Sequence, residues 1–410
     1  MTRPLSLDIA MSTDYPLIRL NNKADRRLRG GHVWIYSNEI DTKATPIKDI
    51  IPGQQVLIEN AQGKVMGVAY LNPHNLICGR LISRDARQGL DKSLLVHRIN
   101  IALSLRQAMN EKPYYRLVYG DSDGLPGLVV DRFGDILVVQ LATAGMELVK
   151  DQIVEALCQV LKPSGILMKN DSRIRGAEDL EDYVEVVYGE VPERVLIEEN
   201  GVQFEVPVYE GQKTGWFYDH RASRANLVHF VKGKRVLDVF SYIGGWGVQA
   251  AAFGAESVLC VDSSEFALEC VHRNAELNGV SDKVATLQGN AFEAMKQLAL
   301  DGERFDVIIM DPPAFIPRRK DVKKGEQAYR RVNELAMRLL NKDGVLVSAS
   351  CSMHLGRDVL VDILRLSSRH VDRQLQILQH FGQTYDHPVH PAIPETDYLK
   401  AIFTRLLPTS

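Results

Sequence analysis

Three short stretches in the C-terminal half hold residues able to do polar chemistry, and each follows an apolar run. GVLVSAS leads into Ser350-Cys351-Ser352, FDVIIMD ends in Asp311 followed by Pro312 and Pro313, and SVLCVD ends in Asp262. A fourth run, RVLDVF, carries Asp238 and opens into SYIGGWG with Gly244, Gly245 and Gly247. A cysteine thiolate adds to electron-poor carbon, which suits Cys351 to nucleophilic catalysis. Glycines after a strand let the backbone turn closely about a ligand. An acidic residue ending the next strand accepts hydrogen bonds from both ribose hydroxyls of an adenosine-containing cofactor, the role open to Asp262. Asn290, in Gly289-Asn290-Ala291-Phe292, places an amide beside the adenine position. Each feature also has a structural reading. The glycine cluster is not GxGxxG and serves equally as a turn, and Asp262 with Ser263 would cap a helix beginning near Glu265. Cys78, Cys158, Cys260 and Cys270 read as small buried hydrophobes. On these residues alone, NAD and S-adenosylmethionine both fit.

The elements that must hold them are legible from periodicity. From Lys234 onward, buried strand, loop and helix alternate through RVLDVF, SVLCVD, KVATLQG, FDVIIMD and GVLVSAS, which predicts a parallel sheet covered on both faces. In such a sheet ligands bind beyond the carboxyl ends of the strands, where the strand order reverses. Asn200-Gly201, between VLIEE and VQFEVPV, predicts a tight hairpin that begins this unit. Upstream, residues 31–83 read as short strands separated by turns such as Pro52-Gly53, a small barrel or half-barrel. Ser93 to Asn110 has helical spacing and marks a boundary; RLVYGDSDGLPGLVVDRFGDILVVQLA gives further strands, and Glu147 to Leu161 an amphipathic helix. The division is 1–90, a small β-rich module; 91–190, a small α+β module; and 191–410, the α/β unit.

Composition limits the function classes. At 410 residues with 45% hydrophobic content, the chain can bury more than one core. Met1 to Asp14 lack the pattern of a secretion signal, and no stretch approaches the ~20 apolar residues of a membrane span, so a soluble protein without a membrane partner is expected. Five widely spaced cysteines with no CxxC pair write neither a disulfide framework nor a zinc site, implying a reducing, cytoplasmic compartment. Asp386, His387 and His390 are interleaved with prolines and lack the spacing of metal ligands, so no metal is expected, and the tail reads as a hairpin packing on the sheet. With a net charge of -3, nucleic-acid binding must come from local patches. Two exist: Arg19, Lys23, Arg26, Arg27 and Arg29; and Arg318, Arg319, Lys320, Lys323 and Lys324.

The Asp311-Pro312-Pro313 segment decides between the cofactors. Two prolines fix φ and remove two donors, leaving a rigid loop with outward carbonyls. The segment resembles that of class I methyltransferases, in which Asp/Asn-Pro-Pro lies against the target base beside the methyl donor. Ser350-Cys351-Ser352 resembles the catalytic motif of RNA cytosine-C5 methyltransferases, where a thiolate added at carbon 6 makes carbon 5 nucleophilic. Nearly the whole chain is similar to one bacterial family, the 23S ribosomal RNA cytosine-C5 methyltransferases with an N-terminal PUA domain. GHVWIYSNEI, PGQQVLIENAQGKVMGVAYLNP, YGDSDGLPGLVVDRFGD, YEGQKTGWFYDHR and HPVHPAIPETDYLKAIF carry that similarity.

The resemblance implies an α/β fold with a C-terminal class I methyltransferase Rossmann-like sheet, preceded by the PUA domain and the α+β module. It implies S-adenosylmethionine as cofactor, held by Asp238, Tyr242, Gly244, Asp262, Asn290 and Asp311, with Cys351 as nucleophile and Asp311 bonding cytosine near N3 and its exocyclic amine. Gln212, Lys213, Thr214 and Gly215, with Asp219 and Arg221, match the family's segment before the first strand and would close over donor and substrate, or pin the hairpin. Pro313-Ala314 departs from the pattern of many RNA cytosine-C5 enzymes, which place a second cysteine there to assist release; the base that removes the carbon 5 proton is therefore unnamed. Large-subunit ribosomal RNA is the implied partner; the basic patches read either as solvated surface or as phosphate contacts, and Trp34 and Tyr36, within the PUA domain, either stack on bases or, for at least one of them, pack in the core. The competing readings are an N-methyltransferase acting on an exocyclic amine, a non-catalytic RNA-binding assembly factor, and a small-molecule methyltransferase. The sequence names neither the nucleotide modified nor the oligomeric state.

Overall fold

Near-continuous apolar runs become central strands only where both faces are covered, and the computed structural model, which describes residues 15–408, shows that arrangement in the C-terminal half. The reading of Met1 to Asp14 lies outside the described residues. The chain divides into two units, one formed by residues 1–111, 116–191 and 390–393, the other by 112–115, 192–389 and 394–410.

In the first unit, strands β1 (Leu17–Arg19), β2 (Trp34–Tyr36), β3 (Gln54–Glu59), β4 (Val65–Leu71) and β5 (Ile77–Ser83) form a sheet of order β1-β3-β4-β5-β2 around Ile18, Ile35, Val56, Ile58 and Leu71. A second sheet of order β10-β9-β8-β7-β6 is built from β6 (Tyr114–Tyr119), β7 (Leu128–Phe133), β8 (Ile136–Leu141), β9 (Gly165–Asn170) and β10 (Tyr183–Gly189). The helices Lys92–Met109 and Lys150–Leu161 pack on each other beside it. The second helix starts later than its spacing predicts, because Ala144–Glu147 forms a separate short turn of helix.

The second unit opens with a hairpin of β11 (Arg194–Glu199) and β12 (Val202–Pro207), turned at Asn200 (φ 56°) and Gly201 (φ 79°). Both turn residues are left-handed, the conformation that Asn-Gly adopts most cheaply in a two-residue loop. The main sheet has seven strands: β13 (Arg235–Val239), β14 (Ser257–Asp262), β15 (Val284–Gln288), β16 (Phe305–Met310), β17 (Leu340–Ser350), β18 (Arg373–Phe381) and β19 (Lys400–Pro408), in the order β15-β14-β13-β16-β17-β19-β18. The five strands β13 to β17 run parallel, each at the run expected, and β19 lies antiparallel between β17 and β18. The tail, expected as a hairpin packing on the sheet, is the antiparallel pair β18 and β19, which extends the sheet edge by main-chain pairing. Helices Val322–Leu339 and Arg357–His370 bury Tyr329, Val332, Leu360 and Leu364 against Leu346 and Ile402 on one face. Strand order reverses between β13 and β16, so their carboxyl ends form the crevice in which this fold binds ligands. This is the class I methyltransferase sheet.

Candidate active site

Five parallel strand ends and the segment after the hairpin enclose a cavity of about 480 Å³. Tyr242, Asp262, Asn290, Asp311 and Cys351 all line it, with Gln212, Lys213 and Asp219. Residues separated by more than a hundred positions in sequence thus share one wall.

Its β13–β15 side is ordered by backbone hydrogen bonds. Asp262, at the end of β14, accepts from the Tyr242 N–H through Oδ2 (2.9 Å) and from the Ser264 N–H through Oδ1 (2.9 Å). Ser264, rather than Asp262 or Ser263, caps the helix Glu265–Leu277, its Oγ accepting from the Ala267 N–H at 3.2 Å. The Asp262 carboxylate therefore orients the glycine loop and keeps unused lone pairs toward the cavity. Asn290 caps the helix Ala291–Leu300 by accepting from the Phe292 N–H (3.0 Å), which holds its amide group at the cavity wall. Tyr242 Oη donates to the Gly215 carbonyl and accepts from the Gln212 N–H, both at 3.0 Å, tying the 211–215 loop to the first strand. Phe240 and Tyr242 take φ of 66° and 49° here, a conformation costly for residues with Cβ and typical of sites where geometry serves function.

Two residues expected at the cofactor lie elsewhere. Asp238 is fully buried beneath the loop, does not line the cavity, and accepts from the Gly247 N–H at 2.8 Å. Side chains alternate along a strand, and Asp238 falls on the face under the loop. Burial pushes its carboxyl up to about 8, so it is a neutral acid at physiological pH. A Cβ on Gly247 would stand 2.5 Å from Cys260 Sγ and 2.9 Å from Asp238 Oδ2, which is why only glycine fits over this acid. Gly244 also stays out of the wall: it supplies the turn at φ 85°, and Gly245 lines the cavity.

The β16–β17 side is made of buried charge. Asp311 Oδ2 accepts from Trp246 Nε1 (3.0 Å), and its Oδ1 pairs with His220 Nε2 (3.3 Å). Burial alone would raise the Asp311 carboxyl, but the His220 charge and the two hydrogen bonds bring it below the usual carboxylate value. Asp219 is buried, takes the Tyr398 hydroxyl on Oδ2, and is held strongly acidic against burial by His220, His387 and Lys213. Cys351 is partly exposed; burial lifts its thiol, Lys213 counters, and Asp311 and Asp219 add to the rise.

The flanking serines fix where that cysteine stands. Ser350 Oγ donates to Tyr329 Oη (2.8 Å), Tyr329 Oη meets Ser352 Oγ (2.9 Å), and Ser352 Oγ also accepts from the Ile316 N–H (3.3 Å). Both serines are buried, so the strand end is pinned to the helix Val322–Leu339 and to the loop after Asp311. Lys400, buried on β19, donates to the carbonyls of Ser352 and Tyr398, both at 2.7 Å, and desolvation lowers it to about 8.

Several working parts have no counterpart in the sequence reading. Glu199, 2% exposed at the end of β11, accepts from Arg224 Nε (2.6 Å), Trp216 Nε1 (3.0 Å) and Gln249 Nε2 (3.0 Å). The hairpin thereby anchors the 216–224 segment and the helix after the glycine loop. His220 and Trp246 were likewise unmarked. The signal for His220 is the density of titratable and aromatic residues in WFYDHR, upstream of the first parallel strand, and Trp246 stands in the glycine loop SYIGGWG.

The residues present fit an adenosine-type methyl donor. Ser241 Oγ is a buried wall atom with no hydrogen-bond partner, and Asp262 and Asn290 offer acceptor and donor groups at adjacent strand ends. In the second basic cluster Arg318 pairs with Asp321 at 3.1 Å, while Arg319, Lys320, Lys323 and Lys324 are exposed. In the first, Arg19, Arg27 and Arg29 pair with Glu59, Glu39 and Asp25; Trp34 donates to Asp121 (2.8 Å), and Arg27 covers the Tyr36 ring.

Comparison with known proteins agrees. Residues 18–84 match a PUA-like domain, and residues 172–405 match an S-adenosylmethionine-dependent methyltransferase family. Ribosomal RNA large subunit methyltransferase I of Aliivibrio fischeri is 36% identical over 398 residues, spanning 95% of this chain and 99% of that protein. A solved chain from Streptococcus mutans, described as a S-adenosylmethionine-dependent methyltransferase, superposes with a TM-score of 0.81 at 22% identity over 95% of this chain and 100% of its own. A second, complexed with S-adenosylhomocysteine, gives 0.81 at 23% identity, covering 96% of this chain and all of that one.

Proposed function

Because this chain belongs to the ribosomal RNA large subunit methyltransferase I family of S-adenosylmethionine-dependent enzymes, we propose that it methylates carbon 5 of a cytosine in large-subunit ribosomal RNA through a covalent Cys351 adduct. The observation that carries this reading is the shared wall: Cys351 and Asp311 end neighbouring strands and line the same cavity as Tyr242, Asp262 and Asn290. A packing cysteine would not need an exit into a ligand cavity.

Carbon 5 of cytosine is a poor nucleophile. Addition of the Cys351 thiolate at carbon 6 forms a carbon–sulfur bond and moves the ring π electrons toward N3, leaving an enamine rich at carbon 5. S-adenosylmethionine, bound against Tyr242, Asp262 and Asn290, supplies the electrophilic methyl group. N3 takes up a proton from solvent as the adduct forms, and Asp311, kept ionised, accepts from that N3–H and from the exocyclic amine as positive charge develops on them during methyl transfer, a charge-assisted bond. Loss of the carbon 5 proton to solvent then expels the Cys351 thiolate and restores the ring. Lys213 favours the thiolate. The rigid Pro312-Pro313 loop keeps Asp311 at fixed height. The target base has to leave its stack to reach a sulfur at this depth.

In this reading residues 1–90 grip structured RNA, 91–190 form the middle module, 191–410 hold the chemistry, and the setting is the reducing cytoplasm. Arg319, Lys320, Lys323 and Lys324, close in sequence to Ala314 at the cavity wall, would meet phosphates at the rim. The test is methyl transfer from labelled S-adenosylmethionine to large-subunit ribosomal RNA with nucleoside analysis, wild type against Cys351→Ala. Label in 5-methylcytidine that disappears in the variant supports the proposal; label in another nucleoside, or 5-methylcytidine made normally by the variant, ends it.

A further inference from the structure

Asp311 is useful to a base only if its carboxylate is both charged and fixed. Two side chains to which the sequence alone assigns no role hold it. Trp246 Nε1 bonds Oδ2 at 3.0 Å, and His220 Nε2 meets Oδ1 at 3.3 Å. The two clamps support each other, their rings packing edge to face at 5.2 Å between centroids. His220 is buried, and its other ring nitrogen, Nδ1, lies 3.1 Å from Ser223 Oγ. That hydroxyl is placed to give its own proton to the His220 carbonyl, at 2.9 Å, which leaves its oxygen free to accept from Nδ1–H. Nδ1 donating to Ser223 and Nε2 donating to Asp311 is the arrangement an imidazolium would make.

The surrounding charges allow it. Asp219 neighbours His220 in sequence and Asp311 touches its Nε2, while Arg224 opposes from the helix turn Arg221–Ala225. Arg224 is itself spent on Glu199, with Nε to Oε1 at 2.6 Å and Nη2 to Oε2 at 3.0 Å. Lys213 and His387 act on Asp219 rather than directly on the ring. Burial disfavours the charged ring, yet the two carboxylates outweigh it and raise the imidazole above its ordinary value.

We infer that His220 is the positioning residue for Asp311: as an imidazolium it holds the carboxylate ionised and in one orientation against the substrate base. The inference rests on the proposed role of Asp311 in base recognition. It does not depend on which nucleoside is made. It implies a pH dependence with a defined sign. The cation is present below the raised imidazole value and is lost as pH rises through it, so methyl transfer must fall on the alkaline side. The need for a Cys351 thiolate acts oppositely, making the rate climb with pH from the acid side.

The test is the pH profile of kcat/KM for methyl transfer to ribosomal RNA by the full chain, comparing wild type with His220→Gln. Glutamine can still donate to Asp311 but carries no charge and does not titrate. The expected result is a bell-shaped wild-type profile and a variant with no alkaline limb, reduced on the order of 100-fold at neutral pH, as misplacement of a reacting group costs. S-adenosylmethionine binding, measured by calorimetry, should stay within about threefold, because the cofactor bonds lie on the other wall. An unchanged alkaline limb in the variant overturns the inference, as does wild-type activity across the range. Ser223→Ala gives a second reading should the glutamine variant fold poorly: losing the Nδ1 acceptor must move the alkaline limb to lower pH, and a limb that stays in place also overturns it. Nucleoside analysis of the wild-type product separates the two proposals, since a product other than 5-methylcytidine removes the cytosine reading while leaving the pH comparison of Asp311 intact.

Discussion

The two walls of the cavity are built by different physics. The wall of β13, β14 and β15 is arranged by main-chain hydrogen bonds: Asp262 holds the Tyr242 and Ser264 amides, and Asn290 caps a helix. The wall of β16 and β17 is arranged by side chains that oppose one another in charge, with buried His220 and Asp219, half-buried Asp311 and exposed Lys213 around the Cys351 thiol. A site that binds a cofactor can be fixed by loop geometry, whereas one that steers a thiolate and a carboxylate needs perturbed acids and bases. Mutations on the two walls should therefore separate cleanly into binding and chemistry.

The sharpest break is Cys351→Ala, expected to lower methyl transfer by roughly 10⁴-fold or more, since no other group can form the adduct. Its affinity for S-adenosylmethionine, read by calorimetry, should match wild type. Asp311→Asn removes the charge but not the shape and should cost about 10²- to 10³-fold in kcat, the range seen when one preorganised electrostatic contact is lost. A comparable loss of cofactor affinity in that variant would erase the distinction between the walls. Asp262→Asn tests the other side: removing a charged acceptor should weaken S-adenosylmethionine binding by about 10- to 100-fold, the equivalent of roughly 1.5–3 kcal/mol, with single-turnover chemistry on the saturated enzyme little changed. Tyr329→Phe removes the hydroxyl between Ser350 and Ser352. It should cost about 1 kcal/mol of stability, seen as a drop in Tm, and loosen the Cys351 loop enough to alter its rate of alkylation by iodoacetamide. The smallest effect belongs to the rim, where Arg319→Ala with Lys320→Ala should reduce the slope of log affinity for RNA against log salt by about 2, leaving turnover at saturation unchanged.

This contrast also explains what the sequence reveals. Strands β13 to β17 announce themselves because central parallel strands are apolar throughout, and Asn200-Gly201 does so because its turn demands left-handed residues. Asp262 and Asp311 were legible for the same reason, each being the charged residue that closes an apolar run, and Cys351 because it directly follows the last of these strands. Asp238 shows the limit. It belongs to a strand end too, but the pleat turns it under the glycine loop, and one residue of alternation decides which acid meets a ligand. His220, Trp246, Arg224 and Glu199 were not legible, since their partners lie up to 91 positions away, as for His220 and Asp311, in segments with no periodicity to betray the pairing. The bounds of the tail strands were not legible because a strand at the sheet edge, such as the mostly exposed β18, lacks the apolar run that marks a central one.

The central claim, a covalent bond from Cys351 to a target cytosine, has a direct measurement. Ribosomal RNA carrying 5-fluorocytidine in place of cytidine is incubated with the enzyme and S-adenosylmethionine, digested, and searched by mass spectrometry for a nucleotide attached to the peptide containing Cys351. Fluorine cannot leave carbon 5 as a proton does, so the adduct should persist and depend on the methyl donor. A denaturant-stable, donor-dependent adduct on Cys351, absent from Cys351→Ala, is the predicted result. Turnover on cytidine RNA with no adduct on the fluorinated RNA, or an adduct on another residue, would contradict the account.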